Sequence, residues 1–208
     1  MSELVAPGQA TVTVAADLLA HWWSRPVAAE VECWLGAAEL AADVRRQLSA
    51  GPDDELPHGA AEAPALLDEY ERLFVGPGQV PCPPYESYWR DDVPIDLWHS
   101  LMGPCTADLH RLYNGLGLDL DPAAGELPDH VAVIFEALAY ALSLPIHGQV
   151  AQMLVASHLG PWLPRLCRAV ASEARHPFYI GLATVTLHWL GHIERHVAPP
   201  AEVEPGTG

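Results

Sequence analysis

Apolar residues recur along this chain at intervals of three and four, the period of one face of an α-helix. Leu66, Leu67, Tyr70, Leu73 and Phe74 form one stripe, and Cys105, Leu109, Leu112, Tyr113 and Leu116 a second. Val131, Ile134, Phe135, Leu138 and Leu142 repeat the pattern, followed by Ile146, Val150, Met153 and Leu154. Leu163, Leu166, Cys167 and Val170 give another, and Phe178, Leu182, Val185, Trp189 and Ile193 the last. Ser24 with Pro26, and Pro104, Pro128, Pro145 and Pro161, are placed to open helices, because proline loses nothing in a first helical turn. Gly51, Gly76, Gly103, Gly117 and Gly160 are placed to end them. The pattern predicts an all-α, single-domain helical bundle of about eight or nine helices with essentially no sheet. "TVTV" at 11–14 alternates like a strand. It is too isolated to build a sheet and is read as a tail or a helix lead-in. Residues 1–11 are expected to be a flexible tail, 12–197 the helical domain and 198–208 a disordered tail, with an acidic loop at 51–64.

One segment breaks the period. "YERLFVGPGQVPCPPYESYWRDD", residues 70–92, starts as an amphipathic helix, stops at Gly76-Pro77-Gly78 and ends among aromatics and acids. It predicts a long, ordered, proline-stiffened loop over 76–95. Phe74, Tyr85, Tyr88 and Trp89 fit two readings equally well. They are core plugs beneath a loop, or a preorganised wall against which an apolar peptide docks at low ordering cost. Glu86, Asp91 and Asp92 beside them would suit a peptide that carries arginines.

Charge narrows the choice of partner. The chain has 208 residues and a net charge of −17, and all ten of its basic residues are arginine. Such a surface repels nucleic acid and anionic membranes and attracts cations. The N-terminus lacks the basic and apolar regions of a secretory signal. The apolar run Val131–Leu144 is interrupted by Glu136 and is too short to span a bilayer. Cys33, Cys82, Cys105 and Cys167 show neither disulfide nor zinc spacing. A reduced, cytoplasmic protein is expected.

The templates of catalysis are missing: no G-x-S-x-G, phosphate-binding loop, G-x-G-x-x-G or H-E-x-x-H occurs. His188, His192 and His196 share one face of the last helix at metal-ligand spacing. They lack a matching carboxylate or thiol, and a polar helix face is the simpler reading. Asp129 and His130 in "ELPDH" fall at a predicted helix start, where an acid is favoured by free N–H groups and a charged imidazole is not. An acid–histidine pair can move protons, but no nucleophile accompanies this one.

Taken together, Tyr70, Leu73, Phe74, Gly76 and Pro77, then "PPYESY" at 83–88, "ELPDH" at 126–130, "SHLGPWLPRL" at 157–166 and "PFYIGLATVTLHWL" at 177–190, resemble the TorD/DmsD family, related to NarJ. The resemblance runs in order over roughly residues 15–195. It implies an all-helical cytoplasmic chaperone, not an enzyme, for a molybdopterin-dependent oxidoreductase of the DMSO-reductase type. Such a chaperone binds the twin-arginine leader of the catalytic-subunit precursor, and the apoenzyme, until cofactor is inserted. Matched position by position, Tyr70, Leu73, Phe74, Pro84, Tyr85, Glu86, Ser87, Tyr88 and Trp89 fall on the groove-lining segment. Asp129 and His130 fall on the acid–histidine motif used in leader recognition. The family implies a monomer or a domain-swapped dimer. It carries no cofactor of its own by this reading, although some members are linked to guanine nucleotide or molybdopterin cofactor. One departure stands out. The family often has Glu four residues after the histidine and Leu next, where this chain has Ile134 and Phe135, with its acid at Glu136.

The rival readings are a NarJ-like assembly chaperone whose client has no export signal, an enzyme such as a nucleotide hydrolase using Asp129 and His130, and a metal-binding protein using the histidine stripe.

Overall fold

A computed structural model of the chain describes residues 7–27, 63–90, 103–120 and 125–197. Among these residues there are eight α-helices and no strand beyond one isolated bridge. In chain order they are α1 (Pro7–Trp23), α2 (Ala63–Tyr70), α3 (Glu86–Trp89), α4 (Pro104–Leu116), α5 (Val131–Ser143), α6 (Gly148–Met153), α7 (Leu163–Glu173) and α8 (Pro177–Val197). Two of them run on into wider π-helical turns, α2 through Glu71–Val75 and α6 through Leu154–Leu159. A 3-10 turn, Pro145–His147, joins α5 to α6.

The core is aliphatic and aromatic. α5 is nearly all apolar, with Val131, Ile134, Phe135 and Leu138 buried. Such a helix must be covered on most sides. α1 lies along it, burying Val12, Ala15, Ala16, Leu19 and Ala20, while α8 packs against α7 and supplies Trp189, which meets Phe135 edge-on at 5.7 Å. A second aromatic knot joins α1, α2 and α8. Phe74 contacts Trp23 at 5.9 Å, Tyr70 at 4.9 Å and Tyr179 at 5.6 Å. Trp23 Nε1 donates to Thr186 Oγ1 at 3.0 Å and Tyr179 Oη to the Leu66 carbonyl at 3.1 Å, so the buried polar ends of this knot are satisfied.

Glu69 fastens α2 to the start of α8. Its carboxylate accepts from Arg72 at 2.8 Å and from the backbone N–H groups of Arg175 at 2.5 Å and His176 at 3.3 Å. Burial alone would raise its pKa, but these donors outweigh it and hold the group at about 2.

Several expectations need correction. "TVTV" lies inside α1, which begins at Pro7, within the segment expected as a tail. Its alternation is accidental, since Val12 and Val14 differ in burial only because they sit on different helix faces. The stripe Ile146, Val150, Met153 and Leu154 is out of phase. Ile146 is 85% exposed and Met153 is exposed, while Ala151, Leu154, Val155 and Leu159 are buried. The 3-10 turn and the π-helical turn each depart from 3.6 residues per turn and rotate the buried face. Gly103 caps the start of α4, and Ser24 closes α1 by donating its hydroxyl to the Ala20 carbonyl at 2.8 Å; the residues before Gly103 and after Val27, on which their expected second roles depend, lie outside the described residues. Gly117 does end α4, at φ +73°, which lets Leu118 N–H reach the Tyr113 carbonyl at 2.9 Å. The acidic loop 51–64 (up to α2), Gly51, Cys33, Asp91, Asp92 and the tail 198–208 lie outside the described residues.

Candidate functional site

The proline-rich segment is neither a free loop nor wholly non-helical. After Gly76 ends the π-helical turn, the chain doubles back so that Cys82 N–H donates to the Leu73 carbonyl at 3.0 Å. Pro83 and Pro84 have no N–H to satisfy, and their carbonyls serve as anchors. Pro83 accepts from Trp89 Nε1 at 2.7 Å and Pro84 from Val131 N–H at 2.9 Å. Glu86 N–H returns a bond to the Asp129 carbonyl at 2.9 Å. This pair of main-chain bonds forms an antiparallel bridge between Tyr85 and His130. It sets the aromatic turn against the start of α5, with the Tyr85 and His130 rings edge-on at 5.3 Å.

Asp129 and His130 are buried, and each caps a helix. Asp129 precedes α5, yet its Oδ2 accepts from Ser87 N–H at 3.1 Å in the first turn of α3. It therefore caps a helix more than forty residues away in sequence. His130 is the residue that caps α5, its Nδ1 accepting from Ala132 N–H at 3.2 Å. That role needs a neutral imidazole with its proton on Nε2. Burial enforces neutrality, pulling the pKa down to about 4. Nε2 lies 3.8 Å from the half-exposed carboxylate of Glu126. The two side chains thus form no acid–histidine dyad, because the carboxylate serves one helix and the imidazole another. Burial raises the pKa of Asp129, partly offset by the Ser87 N–H. Its Oδ1, Ser87 Oγ and Thr106 Oγ1 are buried with no protein partner.

Glu86, expected as a surface acid for peptide arginines, is fully buried. Its Oε1 accepts from Arg90 at 2.7 Å, and its Oε2 lies 3.0 Å from His158 Nδ1 in the π-helical turn after α6. Burial raises its pKa, and His158 and Arg90 draw it back. Arg90 also donates to the Ser157 carbonyl at 2.7 Å, and Arg165 from α7 donates to the Trp89 carbonyl at 2.9 Å. The turn is thereby bolted to α5 on one side and to α6 and α7 on the other.

Tyr70, Leu73, Phe74, Pro84, Glu86, Ser87, Asp129 and His130 are buried, whereas Tyr85, Tyr88 and Trp89 are half-exposed. The core-plug reading therefore holds for Tyr70, Leu73 and Phe74, and only the three turn aromatics retain a face for a partner. The periodicity missed Glu126, the accessible acid beside Tyr85 and His130, and burial raises its pKa. Its spacing four residues before His130 was the available signal. His158, Arg90 and Arg165 were also missed, because ion pairs across the chain leave no local pattern. His188, His192 and His196 remain one helix face. Among the described residues no three His, Cys, Asp or Glu side chains converge to hold a metal ion.

The family model described as nitrate reductase delta subunit matches residues 36–168. The chain belongs to that family. Within it, the chain is 29% identical over 141 residues to the Tat proofreading chaperone DmsD of Salmonella typhi, covering 68% of this chain and 66% of that protein. It is 28% identical, over the same extent, to the DmsD of Salmonella typhimurium. The alignment thus spans just under two thirds of these relatives. A candidate redox enzyme maturation protein from Archaeoglobus fulgidus has a similar fold, at TM-score 0.53 and 20% identity over 93% of this chain and 98% of that one. The all-helical architecture expected of the family is the one found. The "PPYESY" and "ELPDH" segments of this delta-subunit family member, far apart in sequence, meet through the Tyr85–His130 bridge. No helix among the described residues is long and apolar enough to cross a membrane.

Proposed function

We propose that this chain is a cytoplasmic maturation chaperone for a molybdopterin-dependent oxidoreductase of the DMSO-reductase type, and that it binds the twin-arginine leader of the catalytic-subunit precursor. One observation carries the reading. Tyr85, Tyr88 and Trp89 are half-exposed on a turn fixed by main-chain bonds, and the accessible acid Glu126 stands by Tyr85 and His130. Rigid aromatics anchor an apolar segment at little entropic cost, and a carboxylate next to them receives a guanidinium. Names of relatives that are Tat proofreading chaperones support the same reading. In it, Asp129, His130 and Glu86 act by holding the turn in place, since all three are buried. The test is calorimetry with a synthetic twin-arginine leader peptide. Tyr85→Ala and Trp89→Ala are expected to weaken binding roughly tenfold each, with unchanged helicity by circular dichroism. No binding to the intact protein sinks the assignment.

A second reading is favoured by the family's delta-subunit description: assembly of a client that has no export leader. Pull-down followed by mass spectrometry separates the two. A recovered oxidoreductase with a twin-arginine leader supports the first, and one without supports the second.

A further inference from the structure

Where α2 meets the start of α8, Ala65, Asp68, Glu69, Arg72, Arg175 and His176 line a solvent-open cleft of 390 Å³, a size at which pockets take ligands. No residue of the aromatic turn lines it. Two of the chain's ten arginines stand here against two acids, so the lining is formally neutral on a molecule of net charge −17. These charges are not equally available. Glu69 is buried, and its carboxylate is spent on Arg72 and on the backbone N–H groups of Arg175 and His176. Those two N–H groups, just ahead of α8, are therefore taken already. Arg72 is held from two sides. Its Nε donates to Glu69 at 2.8 Å, and its Nη2 donates to Glu69 at 2.9 Å and to the Glu173 carbonyl at 2.7 Å. Among the described residues its Nη1 is unspent. Arg175 is exposed, and among the described residues only its main-chain N–H is engaged, which leaves the guanidinium open. His176 Nδ1 accepts from Phe178 N–H at 3.2 Å, which puts the ring proton on Nε2 as a further donor. The acid that stays open is Asp68, exposed on α2.

We propose that this cleft docks an acidic side chain, Asp or Glu, of a partner protein. The unspent groups of its lining are N–H donors of Arg72, Arg175 and His176, and a carboxylate is the group that meets a guanidinium edge-on with two bonds. Arg72 is already ordered by Glu69 and Glu173, so little entropy is lost when it receives a ligand. Over the surface at large the charge of −17 discourages acidic partners. In the cleft that charge is cancelled locally, and a carboxylate is tolerated there. Asp68 limits the choice, because its repulsion grows with the charge of the guest. A single carboxylate is accepted more readily than a phosphate dianion. The aromatic turn offers an acid, Glu126, and the cleft offers guanidinium groups, so the two surfaces suit partner groups of opposite sign.

The experiment titrates the full chain at low salt with short end-blocked alanine peptides that carry a central Glu or, as control, a central Gln. Binding is read from amide chemical shifts at Asp68, Arg175 and His176. The Glu peptide is expected to bind roughly tenfold more tightly than the Gln peptide. Arg175→Gln keeps the main-chain bond to Glu69 and so the fold, and it should cost the Glu peptide roughly tenfold. Asp68→Asn should strengthen it by about threefold. Equal affinity for the two peptides, or an Arg175→Gln variant that binds the Glu peptide as well as the intact chain does, overturns the inference. Tighter binding of inorganic phosphate than of the Glu peptide overturns it too, since the cleft is then a phosphate site. So does a peptide with a free C-terminus and no Glu that binds more tightly, since the cleft then reads chain ends. Trp89→Ala should leave the Glu peptide unaffected. If that variant weakens it as much as Arg175→Gln does, the peptide sits on the aromatic turn and the inference falls.

Discussion

Phe135 and Trp189 meet at 5.7 Å in the buried apolar core, while Glu86 is just as deeply buried and meets Arg90 and His158. Both regions exclude water, but they do so for different returns. The α1–α5–α8 core is held by apolar area, which is non-directional and tolerant of small adjustments. The aromatic turn, with Trp89 packed on the core, is held in addition by directed bonds. These are the two main-chain bonds of the Tyr85–His130 bridge, the Asp129 cap on α3, and the Glu86, Arg90 and Arg165 contacts to α6 and α7. Buried ion pairs are weak sources of net stability, yet losing one partner is costly. The core thus makes the molecule fold, and the polar joint fixes where three aromatic rings stand.

The largest effect should come from the core. Phe135→Ala is expected to cost about 4 kcal/mol, read as a lower urea midpoint. If the loss is under about 1 kcal/mol, α5 does not occupy the centre assigned to it. Next in size is the joint. Glu86→Ala leaves Arg90 and His158 without their buried carboxylate and should cost about 3 kcal/mol. The comparison predicts where the damage falls: hydrogen exchange should accelerate at 86–90 and along Leu154–Leu159, while α1 and α8 keep their order of protection. Uniform acceleration would show that core and joint are one unit.

The smallest effect is a pH dependence. His130 is held at about 4 against an ordinary 6.5. Between those values the unfolded chain binds a proton that the folded chain does not, so stability falls as pH drops from 6.5 towards 4. His130→Asn keeps a capping acceptor that does not titrate and should flatten that decline by up to about 3 kcal/mol. Glu86 and Asp129, whose pKa values are raised, act in the opposite sense, because their burial cost shrinks as they protonate. The difference between wild type and variant isolates the histidine, and equal slopes would mean that its ring is solvated. Glu69 contributes at lower pH, its stabilisation being complete above 4.5 and lost as pH falls towards 2.

The same contrast explains what could be read from the sequence. The stripes of α2, α4, α5, α7 and α8 place the core correctly because apolar periodicity records burial directly. It fails at Ile146 and Met153, where a 3-10 turn and a π-helical turn change the residues per turn. The site was legible only as segments. Nothing local to "ELPDH" tells that Asp129 caps α3 and His130 caps α5, or that Glu86 would find His158 across the chain. A buried polar residue and an exposed one have the same letter, so Glu86 was placed on the surface and Glu126 was overlooked.

The bridge between Tyr85 and His130 is made of main-chain atoms. Such a hinge-pin is blind to the side chains it carries, apart from the demand that residue 84 supply a carbonyl and residue 86 an N–H. The ring of Tyr85 can therefore be exchanged without breaking the two main-chain bonds, whereas Trp89 is tied in through its Nε1 bond to the Pro83 carbonyl. A main-chain pin of this kind separates the placing of the turn from the identity of the residue at its tip, so that position 85 is free to change while the fold around it stays fixed.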